Sequence, residues 1–265
     1  MEGYWNELEE TAKEWLFEAG EYIKRSFSAT LQIEAKSHKN DLVTNIDKEV
    51  EEFILGKIER AYPDHLILGE EGTGHDISDF NKGIVWVVDP IDGTLNFIHQ
   101  NRDFAISIGV FEEGKGKVGL IYDVMRNEIY HAIAGEGAFV NGERLAPLKP
   151  AKLEESIVGL NAFWISNEGL TQNSGLLQVA RKARGTRSYG SAAIEIANVA
   201  AGRLDAYLSF NLAPWDVAGG SVIVRELGGI ITDIEGDELP PFKKSTFLAA
   251  KPEIHEEIVR QLKEP

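Results

Sequence analysis

Apolar residues recur at helical spacing near the start of the chain, at Trp5, Leu8, Ala12, Trp15, Leu16, Ala19, Tyr22 and Ile23, opposite a glutamate-rich face. That period predicts one amphipathic helix over residues 4–27, packed on a core. A second helix is predicted over 47–60, burying Val50, Phe53, Ile54, Leu55 and Ile58, and Pro63 ends it. A short strand follows at 65–68. Ile84-Val85-Trp86-Val87-Val88 is then a run of five apolar, mostly β-branched residues, which reads as a buried strand. Pro90 cannot donate to a ladder and Asp92-Gly93 is a turn pair, so this strand is expected to stop at Asp89. Thr94 suits an N-cap, with a helix or a single helical turn beginning at Leu95.

Beyond this point the pattern becomes a meander. Segments 104–110, 117–122, 128–133 and 138–140 are strand-like and separated by short glycine- or asparagine-containing turns, which predicts antiparallel pairing. Asn141-Gly142, followed by a Pro- and Lys-containing stretch to Lys152, is the best internal boundary, giving halves of 1–145 and 146–265. The second half alternates strands (156–160, 205–209, 229–232, 246–249) with helices (171–183, 191–201, 215–227, 252–263), the signature of a layered α/β unit. There is no internal repeat and no low-complexity segment.

The candidate chemistry sits where the central strand gives way to a helix N-terminus. Asp89 and Asp92 lie three residues apart there. Crowded carboxylates repel and favour protonation unless a cation lies between them, and Mg²⁺ is the hard, oxygen-seeking ion that works beside phosphates. A helix N-terminus beside it accepts anions. Spacing alone leaves a second reading open, a turn with both aspartates solvated. An EF-hand loop starting at Asp89 fails, because Ile91, Gly93 and Gln100 occupy ligand positions. A phosphoaspartyl Asp-x-Asp-x-Thr motif fails on spacing.

Other acids have bland readings too. Thr44 and Asp47 have capping-box spacing. Glu70 and Glu71 lie between Gly69 and Gly72, where carboxylates are ordinarily solvated. Asp216 falls at a predicted helix start, where an aspartate complements the dipole or caps. His38, in the polar loop from Glu34 to Asp41, reads as an exposed loop residue.

Composition narrows the partners. The 265 residues are 43% hydrophobic and 26% charged, enough for a sizeable core in one large domain or two joined halves. A formal net charge of −16 argues against nucleic acid, which requires a basic face. A phosphate-handling protein this acidic needs local cations. There is no cysteine, so disulfides and thiol chemistry are excluded. The first residues lack a basic and apolar leader, and no apolar run is long enough for a bilayer, so a cytoplasmic protein with no membrane partner is expected.

Asp89-Pro-Ile-Asp-Gly-Thr-Leu-Asn-Phe97 resembles the signature of the inositol monophosphatase family of Mg²⁺-dependent, lithium-sensitive phosphatases. Asp41-Leu-Val-Thr-Asn-Ile-Asp47, Gly69-Glu-Glu-Gly72 and Trp215-Asp-Val-Ala-Gly-Gly220 match in the same order. The resemblance covers nearly the whole chain and implies an α+β fold, a layered α-β-α-β-α sandwich. An antiparallel meander sheet forms its first half and a mixed sheet with helices its second.

It also implies that Glu70, Asp89 and the Ile91 carbonyl hold one Mg²⁺, and that Asp89, Asp92 and Asp216 hold a second. A third, weaker ion binds in some members. Thr94 and Asp47, helped by Glu70, would orient or deprotonate the attacking water. Gly93 and Thr94 N–H groups would cradle the phosphate, with no phosphoenzyme. Glu71 would support local hydrogen bonding, and Lys36 would lie in a mobile loop beside the metals.

Residues 187–193, with Ser191 and Ala192, together with Ser209 and Phe210 are the expected leaving-group pocket. Ser209 stands where inositol-preferring members carry a glutamate, which puts inositol itself in question. Fructose 1,6-bisphosphate, NADP and phosphoadenosine phosphate are the alternative substrates. The family implies a homodimer. The rival of another class is a catalytically silent, metal-dependent binding protein.

Overall fold

The computed structural model describes residues 2–28, 30–35, 42–72, 74, 82–166, 174–240 and 242–263. The two helices that the apolar period predicts are α1 (Glu2–Ser26) and α2 (Asn45–Ala61). Before α2, β1 (Ile33–Ala35) and β2 (Leu42–Thr44) form a small antiparallel ribbon, too short for a periodicity to reveal.

Seven strands follow one another in a single sheet: β3 (Leu66–Gly69), β4 (Ile84–Asp92), β5 (Ala105–Glu112), β6 (Lys115–Asp123), β7 (Glu128–Ile133), β8 (Gly137–Val140) and β9 (Glu143–Arg144). β3 is parallel to β4 and each later pair is antiparallel, as the short turns predict. Asn141-Gly142, read above as the start of a boundary, is the two-residue turn joining β8 to β9, with positive φ at both positions. Such turns match the twist of the strands they join.

The central strand differs from expectation. β4 does not stop at Asp89 but continues to Asp92, because its pairing with β5 skips from Asp89–Ser107 to Asp92–Ala105. The bulge leaves Pro90 and Ile91 unpaired, so the missing proline N–H is never required. The next helix, α3 (Thr94–Gln100), is capped by Gly93 rather than Thr94. Gly93 has φ 100°, which suits a residue without a Cβ, and Thr94 is the first helical residue.

The second half contains β10 (Ile157–Leu160), α4 (Ala162–Ser166), α5 (Ser174–Lys182), β11 (Gly185–Arg187), α6 (Ala192–Ala200), β12 (Ala206–Leu212), α7 (Pro214–Glu226), β13 (Ile230–Thr232), β14 (Ser245–Ala250) and α8 (Ile254–Lys263). Its sheet has the order β11-β10-β12-β14-β13, with β10 parallel to β11 and β12 and with β14 antiparallel to its neighbours. The short α4 and β11 have no counterpart among the predicted elements.

Side-chain alternation sorts these elements into layers. Trp86 and Val88 of β4 and Leu120 and Tyr122 of β6 face α1 and α2 in one core. Ile121 on the opposite face of β6 joins α6, α7 and the inner face of the second sheet. Leu208 and Leu248, on that sheet's outer face, pack on α5 and α8. The result is the expected α-β-α-β-α sandwich.

Helix α7 lies unusually close to the first sheet. A Cβ on Gly119 would fall 2.2 Å from the Gly219 carbonyl, and one on Gly219 would fall 2.6 Å from the Leu120 carbonyl. Only glycine permits this backbone-on-backbone contact, which fixes where the N-terminus of α7 emerges. Among the described residues, no helix is long and apolar enough to cross a membrane.

Candidate active site

The edge of the first sheet brings the acids together. Gly69 pairs with Val88 across β3 and β4, so Glu70 follows level with Asp89. Asp89 is buried, and its Oδ1 accepts the Ile91 N–H at 3.1 Å across the bulge. Asp92, three residues on, is held from the second half: Ser191 Oγ donates to Asp92 Oδ2 at 2.7 Å, and the Ala193 N–H donates to the same oxygen. Ser191 also N-caps α6, accepting the Ile194 N–H at 3.2 Å.

Asp216 is the third residue of α7. It caps, as its position suggests, for Oδ2 accepts the Ala213 N–H at 2.8 Å. It also faces the other acids. One carboxylate oxygen from each of Asp89, Asp92 and Asp216 lies within 4.8 Å of the other two. Glu70 adjoins Asp89 closely enough for a carboxyl–carboxyl hydrogen bond.

Electrostatics shows what this cluster suits. Burial, then the charges of Glu70, Asp92 and Asp216, pushes the Asp89 carboxyl well above its ordinary range. Burial and the Asp92 charge raise Asp216, while the Ala213 N–H and the Lys244 ammonium act the other way. Asp92 is pushed up to about 6 by burial, against the stabilising bonds from Ser191 and Ala193. Burial and mutual repulsion thus disfavour the charged forms of all three. A cation among them would relieve the repulsion, and an all-oxygen donor set suits Mg²⁺.

Asp47 lies on the other side of Thr94. The capping box expected at the start of α2 is present: the Ile46 N–H bonds Thr44 Oγ at 3.1 Å, and Asp47 Oδ2 accepts the Thr44 N–H at 2.9 Å. The free edge of the same carboxylate, Oδ1, receives Thr94 Oγ at 3.1 Å. Thr94 Oγ is also 3.2 Å from the Ile91 carbonyl. Burial raises the Asp47 pKa, opposed by these hydrogen bonds.

The substrate-side residues lie in different surroundings. Gly93 and Thr94 sit at the α3 start, with Ser191 Cβ 3.1 Å from where a Gly93 Cβ would be. Ala192 opens α6. Ser209, in contrast, is buried in β12 beside Tyr207. Phe210 packs on Trp164 with ring centroids 5.7 Å apart. Lys36, His38 and Asp41 lie outside the described residues.

Two supporting acids escape a reading of the chain. Glu51, fully buried in α2, accepts the Glu71 N–H at 2.8 Å, and its carboxyl occupies the space beside Gly69. Glu195 is buried in α6, accepts the Tyr189 N–H at 2.6 Å and is pushed up to about 7 by burial and the Asp92 charge. Its one visible signal is that it is the sole charged residue of the helix Ala-Ala-Ile-Glu-Ile-Ala-Asn-Val-Ala.

Known proteins resemble this chain along nearly its whole length. The profile of the inositol monophosphatase family matches residues 5–264. An inositol-1-monophosphatase of Bacillus subtilis is 52% identical over 257 residues, spanning 97% of both chains. A fructose-1,6-bisphosphatase/inositol-1-monophosphatase of Thermotoga maritima is 38% identical, over 88% of this chain and 86% of that one. The crystal structure of inositol monophosphatase II from Staphylococcus aureus superposes with a TM-score of 0.88 at 44% identity, covering 97% of this chain and 96% of that one. With the acidic cluster in place and a match from near the first residue to near the last, the chain belongs to the inositol monophosphatase family of Mg²⁺-dependent phosphoric monoester hydrolases.

Proposed function

We propose that Asp89, Asp92 and Asp216, with Glu70 and the Ile91 carbonyl, hold two Mg²⁺ ions at the hydrolytic centre of a phosphomonoesterase acting on a small phosphorylated metabolite. The observation that carries this reading is the convergence of three carboxylates within 4.8 Å of one another, each with its pKa raised by burial and by its neighbours. Bound there, Mg²⁺ would neutralise phosphate oxygens, lower the pKa of water and stabilise the departing alkoxide. A related solved structure is described as complexed with Mg²⁺ and phosphate, and another as a lithium chloride-soaked inhibitory complex, which supports both the ion and lithium sensitivity.

The chain's own groups divide the remaining work. Thr94 and Asp47 form a hydrogen-bonded pair that orients water and accepts its proton, and Glu70 shares the role. Gly93 and Thr94 present N–H groups to the phosphate at the start of α3, where Gly93 lets the backbone approach closely. Attack is direct on phosphorus. Specificity rests on Ser191, Ala192 and the neighbourhood of Ser209. Because Ser209 is buried beside Tyr207, it shapes the pocket wall instead of reaching a polyol. A structure of a related Staphylococcus aureus enzyme with 2′AMP bound, and the dual name of the Thermotoga maritima relative, favour a substrate range wider than inositol phosphates.

Release of inorganic phosphate from inositol phosphates, fructose 1,6-bisphosphate, NADP and phosphoadenosine phosphate at fixed Mg²⁺ tests this reading. Activity should need Mg²⁺, fall with lithium, and drop steeply in Asp89→Asn and Asp216→Asn. Wild-type turnover in both variants would sink the ligand assignment. The same reading includes a homodimer, which light scattering on the eluted protein would test.

A further inference from the structure

A buried carboxylate on an otherwise apolar helix demands a reason. Leaving a charge out of water is expensive unless it is fully paired. Glu195 is 3% exposed, and its Oε2 has no hydrogen-bond partner among the described residues. The fold nonetheless makes room for it. Gly159 of β10 lacks the side chain whose Cβ would fall 2.5 Å from Oε2. A methionine or leucine would fill this space at lower desolvation cost, so packing alone does not account for a glutamate.

What this side chain offers that an apolar one cannot is an acceptor for backbone N–H groups. Glu195 Oε1 takes the Tyr189 N–H at 2.6 Å, and the nearby Gly190 N–H also favours the charged form of this carboxylate. The same turn is gripped from the first half by Asn96 of α3, whose Nδ2 donates to the Tyr189 carbonyl at 2.7 Å and to the Asp103 carbonyl at 2.8 Å. Gly190 has φ 77°, and a Cβ there would meet Asn96 Nδ2 at 3.0 Å. Held on both sides, the turn delivers Ser191 and the first N–H groups of α6 onto Asp92 Oδ2.

We infer that Glu195 is a positioning residue of the hydrolytic centre: its carboxylate fixes the Tyr189–Gly190 turn so that Ser191 and the first turn of α6 hold Asp92 in the geometry that binds the metal. The chain of contacts runs from Glu195 to the turn, from the turn to Ser191, and from Ser191 to Asp92. The inference rests on Asp92 being a metal ligand, as proposed above. Groups that orient a ligand in this way typically change metal affinity about 10–100-fold when removed.

The test is Mn²⁺ affinity, read as free Mn²⁺ by electron paramagnetic resonance, alongside kcat, KM and thermal midpoint. Glu195→Leu removes both acceptors and should weaken Mn²⁺ binding about tenfold or more, lowering kcat while leaving KM within about twofold. Glu195→Gln keeps an acceptor for the Tyr189 N–H and should restore most of the affinity. If Glu195→Leu does not fold, Glu195→Asp decides, since its carboxylate is one methylene too short to reach the turn. In the double variant with Ser191→Ala, the loss should not exceed that of Ser191→Ala alone, because both act through Asp92.

A lower thermal midpoint with unchanged Mn²⁺ affinity would make Glu195 a purely structural residue and overturn the inference. Additive losses in the double variant would overturn it as well. Asp92→Asn separates the two levels. Undiminished Mn²⁺ binding in that variant would remove Asp92 from the ligand set, and the inference with it. Lost binding in Asp92→Asn with none lost in Glu195→Leu or Glu195→Asp would overturn only the role given to Glu195.

Discussion

Thr94 Oγ donates to Asp47 Oδ1 at 3.1 Å, while the second oxygen of that carboxylate accepts the Thr44 N–H at 2.9 Å. One side chain therefore closes the N-terminus of α2 and faces the hydrolytic centre. Asp216 repeats the device at the start of α7, with Oδ2 on the Ala213 N–H and the carboxylate among the other acids. In both cases the cap locks the rotamer, so the functional oxygen arrives already oriented. The capping role and the role proposed for each carboxylate are therefore compatible.

The two ends of Asp47 are separable by substitution. Thr44→Ala removes the cap hydroxyl and should destabilise the protein by about 1 kcal/mol with catalysis largely retained. Thr94→Ala leaves the capping box intact and should lower kcat about a hundredfold or more with little change in thermal midpoint. Phosphate-release kinetics and calorimetry on the two variants check the separation. Equal loss of activity in both would contradict it.

Asp89→Asn and Asp216→Asn should act in opposite directions on stability and function. Each removes one of several crowded charges, and in Asp216→Asn the new amide oxygen can still accept the Ala213 N–H. Metal-free protein should therefore melt at the same or higher temperature. Lost charge stabilisation of several kcal/mol should lower kcat about a thousandfold, and the stabilisation by added Mg²⁺ should disappear.

Stability without metal should fall as pH rises. Asp92 has its pKa near 6 in the folded chain against an unfolded value near 3.8, so the folded state holds the proton more tightly. Stability then declines as pH rises from about 4 through 6. Glu195, pushed up to about 7, extends the decline toward neutrality. Mg²⁺ binds the deprotonated form, so its upward shift of the thermal midpoint should be small at pH 5 and large at pH 8. Scanning calorimetry with and without Mg²⁺ across this range checks the sign, and a shift that shrinks with rising pH would refute the account.

Gly119→Ala tests the seating of α7. The added methyl would collide with the Gly219 carbonyl and lever the helix from the sheet. About 1–3 kcal/mol of stability should be lost, and Mn²⁺ affinity should fall because Asp216 moves with the helix. Gly114→Ala, at an exposed hairpin tip with φ 75°, is the control: it is strained locally but should leave metal affinity unchanged.

The layered fold was legible because its long elements carry strong periods. The stripe of α1, the apolar run of β4 and the meander turns each imply one local structure, and they agree with one another. Shorter pieces were not legible: β1, β2 and β11 have three residues each, and α4 has five. Such elements exist because their neighbours pair with them. The end of β4 was misread for a related reason. Pro90 forbids a regular ladder, but a bulge lets pairing resume at Asp92, and a bulge depends on what β5 offers opposite.

The linear chain by itself determined which residue types stand near helix starts and strand ends: Asp89 and Asp92 at the end of a buried strand, Asp47 and Asp216 in the first turns of helices, and a turn at Asp92-Gly93. These follow from local sterics and backbone hydrogen bonding, which act over a few residues. Only the tertiary structure decided that Asp89, Asp92 and Asp216 share one place with Asp47 reaching Thr94 beside them, that Glu51 and Glu195 turn inward to hold the loops behind them, and that Ser209 lies buried beside Tyr207. Those outcomes depend on long-range contacts, such as the glycine-lined seat of α7 and the grip of α6 on Asp92, between residues about a hundred positions apart along the chain.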